Sequence, residues 1–118
     1  MSLSLDEARL GLRSDEEEIR RGAVARLTVP TSAGEMADAL DFLVEAMGDP
    51  SWRVRKEAAA RAAAFDDPTL AAEVLAAALA EPENVGRRNA VVEALVGLGA
   101  QAVPALIVAL ALKPEHRK

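Results

Sequence analysis

The chain has 118 residues, 19 of them acidic and 14 basic, for a net charge of -5. That length fits one small domain whose apolar half suffices for a core, and the acidic balance opposes a mainly electrostatic hold on nucleic acid or anionic lipid. With no cysteine there is no disulfide, no thiolate-held iron-sulfur cluster and no finger-type zinc site.

The 26 alanines, two phenylalanines and single tryptophan describe thin, closely packed helices with no strands. No window approaches the ~18 uninterrupted apolar residues of a membrane span, and the start lacks an apolar signal core. The expected compartment is therefore the cytoplasm, with no membrane partner.

In chain order, Met1-Ser2-Leu3 reads as a leader added ahead of the fold. Ser4-Leu5-Asp6-Glu7 then fits a capping box, with Leu5, Ala8 and Leu12 spaced for one face of an N-terminal cap helix. Three copies of one unit follow. Their openings are Asp15-Glu16-Glu17-Glu18-Ile19-Arg20-Arg21-Gly22-Ala23, Asp49-Pro50-Ser51-Trp52-Arg53-Val54-Arg55-Lys56-Glu57-Ala58 and Glu81-Pro82-Glu83-Asn84-Val85-Gly86-Arg87-Arg88-Asn89-Ala90. Aligning Ala23, Ala58 and Ala90 gives steps of 35 and 32 residues.

Each unit is a helix pair, with boundaries near 14–48, 49–80 and 81–112. Pro50 suits a first helical turn, and Asp49 or Ser51 can cap it. The longer first step is absorbed by Thr28-Val29-Pro30-Thr31-Ser32-Ala33-Gly34, which favours a loop. The second helices read Met36 to Met47, Thr69 to Ala80 and Ala102 to Leu112. Two core columns link them, Phe42/Val74/Leu106 and Leu43/Leu75/Ile107. A pair that cannot bury its apolar face alone must stack on its neighbours, so the fold class is an all-α, right-handed α-solenoid of about three helix pairs behind an N-terminal cap helix.

Asp49-Pro50 followed by Val54-Arg55-Lys56-x-Ala58, and Leu95 to Gly99 running into Ala102-Val103-Pro104-Ala105-Leu106, give the chain a family resemblance from about residue 14 to 118. It resembles HEAT repeats, especially the short bacterial type called phycobilisome-lyase-like. The resemblance implies a non-catalytic protein-binding scaffold without a cofactor. It leaves two alternatives: a chromophore-lyase-like accessory subunit, and a nucleic-acid-binding HEAT domain of the glycosylase type, which would need a continuous basic groove.

Catalysis finds little in the sequence. His116 sits in a polar tail with no positioned partner. Glu16-Glu17-Glu18 and Asp66-Asp67 stand ahead of helices, where carboxylates complement the macrodipole more readily than they hold a metal. The matched arginines Arg20, Arg55 and Arg87 read as a structural ladder, and the resemblance implies that they reach acidic groups or turn carbonyls near helix ends, with Asp15, Asp49 and Glu81 as caps or partners. Arg53, Arg55, Lys56, Arg61, Arg87 and Arg88 could form a basic patch, but their acidic neighbours favour a mixed, solvated surface.

Asp38, Asp41 and Glu45 share one side of a helix, opposite Phe42, Leu43 and Met47, and Glu73 continues the Asp41 column. On the family resemblance, the second helices line the concave surface, so this column is expected to face a basic protein partner. Trp52 replaces Glu17 and Asn84 of the other copies. It should be partly exposed, as a contact for a partner or, the favoured alternative, packed over the preceding turn.

The last helix, 102–112, is aliphatic almost throughout, and Val108 and Leu112 point away from their own unit. Pro114-Glu115-His116-Arg117-Lys118 resembles the opening of a fourth unit. The expectation is a fragment of a longer solenoid, or a chain that covers this end by pairing as a homodimer through Val108 and Leu112.

Overall fold

The computed structural model describes residues 2–79, 85–104 and 107. Among them are six α-helices: α1 (Leu5–Leu12), α2 (Glu17–Ala25), α3 (Ala33–Ala46), α4 (Trp52–Ala63), α5 (Pro68–Leu79) and α6 (Val85–Leu98). A 3-10 turn, Gly99–Ala102, follows α6. Gly99 enters it at φ 70, the left-handed conformation that glycine supplies past a helix end at least cost.

The helix starts follow local chemistry. Ser4 accepts from the Glu7 amide at 3.2 Å while its own amide donates to Glu7 Oε1 at 2.8 Å, completing the expected capping box of α1. Ser51, rather than Asp49, caps α4, accepting from the Arg53 amide at 3.2 Å. Asp67 Oδ1 accepts from the Leu70 amide at 3.0 Å and so ties down the first turn of α5.

Three expectations need correction. The loop 28–34 is shorter than its composition suggests. Ser32 caps α3 and donates to Glu35 Oε1 at 2.8 Å, and this local pair draws Ala33 and Gly34 into the first turn. Asp15 does not cap α2: the N-cap is Glu16, without a side-chain bond, and the turn ahead of it is closed by the Ser14 hydroxyl, which accepts from the Glu16 amide at 3.0 Å. Leu3 is not a dispensable leader, because its amide donates to Arg26 O at 2.7 Å and its carbonyl accepts from the Thr28 amide at 2.8 Å, an isolated parallel bridge beside buried Leu27.

The helices form two layers within an envelope of 46 × 29 × 20 Å. In one, α2, α4 and α6 lie side by side; in the other, α3 lies beside α5, and α1 covers the near end against α2 and α3. Sequential packing is tightest across the turns α1-α2, α3-α4 and α5-α6, whereas α4 meets α5 only slightly. The core between the layers is built from Ala23, Ala58 and Ala90, from Val24, Ala59 and Val91, and from Leu40, Leu43 and Leu75, all buried.

The alanine columns permit close approach. A β-carbon on Gly97 would come within 2.8 Å of the Ala63 β-carbon, and one on Gly11 within 2.8 Å of that of Ala23. Below, inner names the α2/α4/α6 layer and outer the α3/α5 layer, as labels without reference to curvature.

Burial falls at the edges of the described stack. Leu43 and Leu75 are fully buried, but Ile107 of the same column is 62% exposed, and Val103 is also exposed. Interior columns are covered from both sides; at Ile107 no further described element lies beyond. Val108, Leu112 and His116 lie outside the described residues, as does Glu81.

Candidate functional site

The three arginines expected to form a ladder converge on a single turn, Gly48-Asp49-Pro50, between α3 and α4. Arg20 reaches it from α2, with Nε donating to Asp49 Oδ1 at 2.9 Å and Nη2 to Oδ2 at 3.3 Å, a two-pronged charge-assisted pair. Arg55, in α4, folds back so that Nη1 donates to the carbonyls of Asp49 at 2.7 Å and Pro50 at 3.1 Å. Arg87 arrives from α6: a β-carbon on Gly48 would lie 2.7 Å from a terminal nitrogen of its guanidinium. Only glycine at 48 leaves that space without displacing the side chain.

Asp49 is the hub's anion and the buried charged residue among those described, 9% exposed. Its Oδ2 also accepts from the Ser51 amide at 2.9 Å, so both carboxylate oxygens are satisfied. A spacing recurs inside this arrangement. Arg20 donates to Ser14 O at 3.0 Å and Arg55 to Asp49 O, each six residues back, so two copies of the unit bind their own entry turn in the same way. Asp49 additionally serves the preceding unit.

Further polar links stitch α2 to α4. Ser51 Oγ donates to Glu17 Oε2 at 2.5 Å, Arg21 lies 3.5 Å from Glu57, Arg53 lies 3.6 Å from Glu18, and Arg61 donates to Leu27 O. The Arg21 guanidinium, hydrogen-bonded to Glu18 and opposite it in charge, holds the Glu18 carboxyl below its ordinary value, and Glu18 in turn raises Arg21. Arg55 and Arg61, two of the six residues of the candidate basic patch, are thus bound within the fold, while Arg53, Lys56 and Arg88 stand exposed.

Trp52 occupies the ridge of α4. It is 60% exposed and is not tucked over the preceding turn, because the N-terminal position of α4 directs it outward; Lys56 Nζ sits 5.8 Å above its ring. Grooves lie on either side. One, of about 590 Å³, is walled by Trp52, Lys56, Asn89, Val92 and Glu93 between α4 and α6; the other, of about 490 Å³, by Trp52, Arg53, Lys56, Glu18 and Arg21 between α4 and α2. Val85, Val92 and Val96 are exposed along α6 at the helical spacing of one stripe. No sequence signal marks this stripe, because valine at an outer helical position looks like core until its neighbours are known.

The outer layer differs. Asp38, Asp41, Glu45 and Glu73 are all exposed, and Glu35 joins them; α3 and α5 carry no lysine or arginine. Between these helices Asp41, Val44, Val74 and Ala77 line a groove of about 340 Å³ that the Arg87 side chain also borders. Among the described residues no group of three or more potential ligands is placed to hold a metal, and no helix is long and apolar enough to cross a membrane.

A two-layer stack of short helices, tied together by arginines at the entry turns, defines the class: an α-helical repeat protein. The family model of HEAT repeats matches residues 5–96, and the chain belongs to that family. No curated protein and no solved structure matches it.

Proposed function

We propose that this protein is a non-catalytic interaction scaffold of the short, phycobilisome-lyase-like bacterial type, working in the cytoplasm, and that its α3/α5 face receives a basic segment of another protein. The observation that carries this reading is the segregation of charge. Glu35, Asp38, Asp41, Glu45 and Glu73 stand exposed on two helices without a base, while every lysine and arginine of the six helices outside α1 lies on α2, α4 or α6. The groove beside Asp41, with Val44 and Val74 in its wall, offers an aliphatic contact between the acids.

A field of one sign chiefly accelerates and selects encounters, so binding should weaken steeply with salt. Nucleic acid is a poor fit to the same face. On the other face, Arg20, Arg55 and Arg61 are engaged by the fold itself, which weighs against their use for phosphates.

The test is binding of a lysine- and arginine-rich helical peptide, followed by calorimetry at low and physiological salt. The reading expects affinity that falls with salt and is lost in Asp41→Lys with Glu73→Lys. Equal binding by that variant and the parent at both salt concentrations places the surface elsewhere.

A further inference from the structure

We infer that the α4/α6 side of the inner layer is a self-pairing surface, on which a second copy of this chain docks about a two-fold axis near Trp52. Among the described residues on α3 to α6, the large apolar side chains left in water are Trp52, Val85, Val92 and Val96, all on α4 or α6 and none on α3 or α5; beyond α6, Val103 and Ile107 are exposed as well. An exposed tryptophan flanked by aliphatic and arginine side chains is the usual composition of an interface centre.

Charge decides which occupant fits. A two-fold interface brings a patch against itself, so the patch must be its own electrostatic complement. The inner face meets that condition: the two grooves beside Trp52 are lined by bases, Arg21, Arg53, Arg55 and Lys56, interspersed with the acids Glu18, Glu57 and Glu93. The α3/α5 face, acidic throughout, would repel its own copy.

Shape agrees. Trp52 forms a ridge between two grooves, so a half-turn about an axis beside it lays each indole into the other copy's groove against Val92 and Asn89. Helices of 12 and 14 residues, with α2 beside them, present a face of roughly 20 × 30 Å, about 600 Å² in projection and near the ~800 Å² per partner of an ordinary specific interface. That area supports a weak dimer, formed in the micromolar-to-millimolar range. The acidic faces remain outward, and a dimer would carry two of them.

Trp52 is the only tryptophan, so its emission reports this site alone. The experiment is light scattering on the full chain from micromolar to millimolar concentration, with fluorescence and acrylamide quenching read on the same samples. The expected result is a doubling of mass accompanied, at the same midpoint, by a blue shift and a several-fold loss of quenching. Trp52→Ala and, separately, Val92→Asp should each leave a folded monomer, checked by circular dichroism, while Val108→Glu with Leu112→Glu should dimerise as the parent does. The inference is overturned by a monomer at every concentration, by a dimer whose Trp52 stays fully quenchable, by a dimer that survives both inner-face variants, or by protection of Trp52 only when a different protein is added. Because the proposed basic partner binds the opposite face, the calorimetric test above can fail without affecting this one, and the reverse.

Discussion

The two layers of this protein are built from the same repeated unit but hold themselves together by different means. Along α2, α4 and α6 neighbouring helices touch through alanine and glycine and are crossed by ion pairs and side chain-to-carbonyl bonds. Along α3 and α5 the cohesion is aliphatic burial, through Leu40, Leu43, Leu75 and Met47 and their neighbours, and the charges take no part in it. The difference teaches that acidic residues of equal sequence prominence take opposite places here: Asp49 is a buried keystone, and Asp41, eight positions earlier, stands exposed on the surface.

The sharpest way to break that comparison is to remove each of the two. Asp49→Ala strips the anion from Arg20, frees the Ser51 amide and removes the carboxylate around which the turn is organised. Losing one partner of a buried, well-bonded pair costs about 3–5 kcal/mol, which for a domain of this size threatens folding itself. Asp41→Ala should change stability by less than about 0.5 kcal/mol, as for an exposed surface position. Urea unfolding of the two variants beside the parent measures both; equal effects would dissolve the distinction between the layers.

Glycine gives a second, smaller contrast. Gly97→Ala would drive a methyl to 2.8 Å from the Ala63 β-carbon, a contact with no flexible end to yield, so α4 and α6 must separate at a cost of about 1–3 kcal/mol. Gly34, in the first turn of α3, has nothing within 4 Å of the same position. Gly34→Ala should therefore stabilise the protein by about 0.5 kcal/mol through the unfolded chain. Opposite signs in thermal unfolding are the expected outcome, and a stabilising Gly97→Ala would show that the inner layer is looser than described.

Much of this was legible in the residues. The repeat step, the capping box at Ser4, the Asp67 turn and the buried alanine columns all follow from local chemistry and from spacing, which act within a few residues or recur at a fixed interval. Two features were not. Arg20, Arg55 and Arg87 occupy matching positions, so the sequence suggests three equivalent rungs, but the turn at Gly48-Asp49-Pro50 is the one place where a preceding, a resident and a following arginine can meet, and only packing reveals that. Nor does periodicity say how closely neighbouring helices approach, which rests on contacts such as Gly97 with Ala63 that lie 34 residues apart. That Trp52 is at least partly exposed was readable from its alignment with Glu17 and Asn84; that it stands clear of the preceding turn, against the favoured reading, was not, and neither was the valine stripe beside it.

The smallest effect concerns the ion pairs on the exposed rim of the inner layer, and it sharpens the contrast with the buried hub. Glu18 bonds Arg21 at 3.0 Å and lies 3.6 Å from Arg53, and these partners hold its carboxyl below its ordinary value of 4.5. A carboxyl whose pKa is depressed by folding contributes stability that is fully present above its unfolded value and is lost as pH falls through the folded one. Glu18→Gln should therefore lower the unfolding midpoint slightly at neutral pH, and the gap between variant and parent should close as the solution is acidified below the ordinary carboxylate range. Salt should close it as well, because the group is exposed and its interactions are screened. The Asp49 variant's deficit, by contrast, should persist in high salt, since its partners are enclosed by the fold. Unfolding midpoints at neutral and acidic pH, each with and without molar salt, separate the two cases: a Glu18→Gln gap that persists in salt would mean that the rim pair belongs to the enclosed network, and that α2 and α4 are joined by one continuous hub instead of a buried centre with a solvated edge.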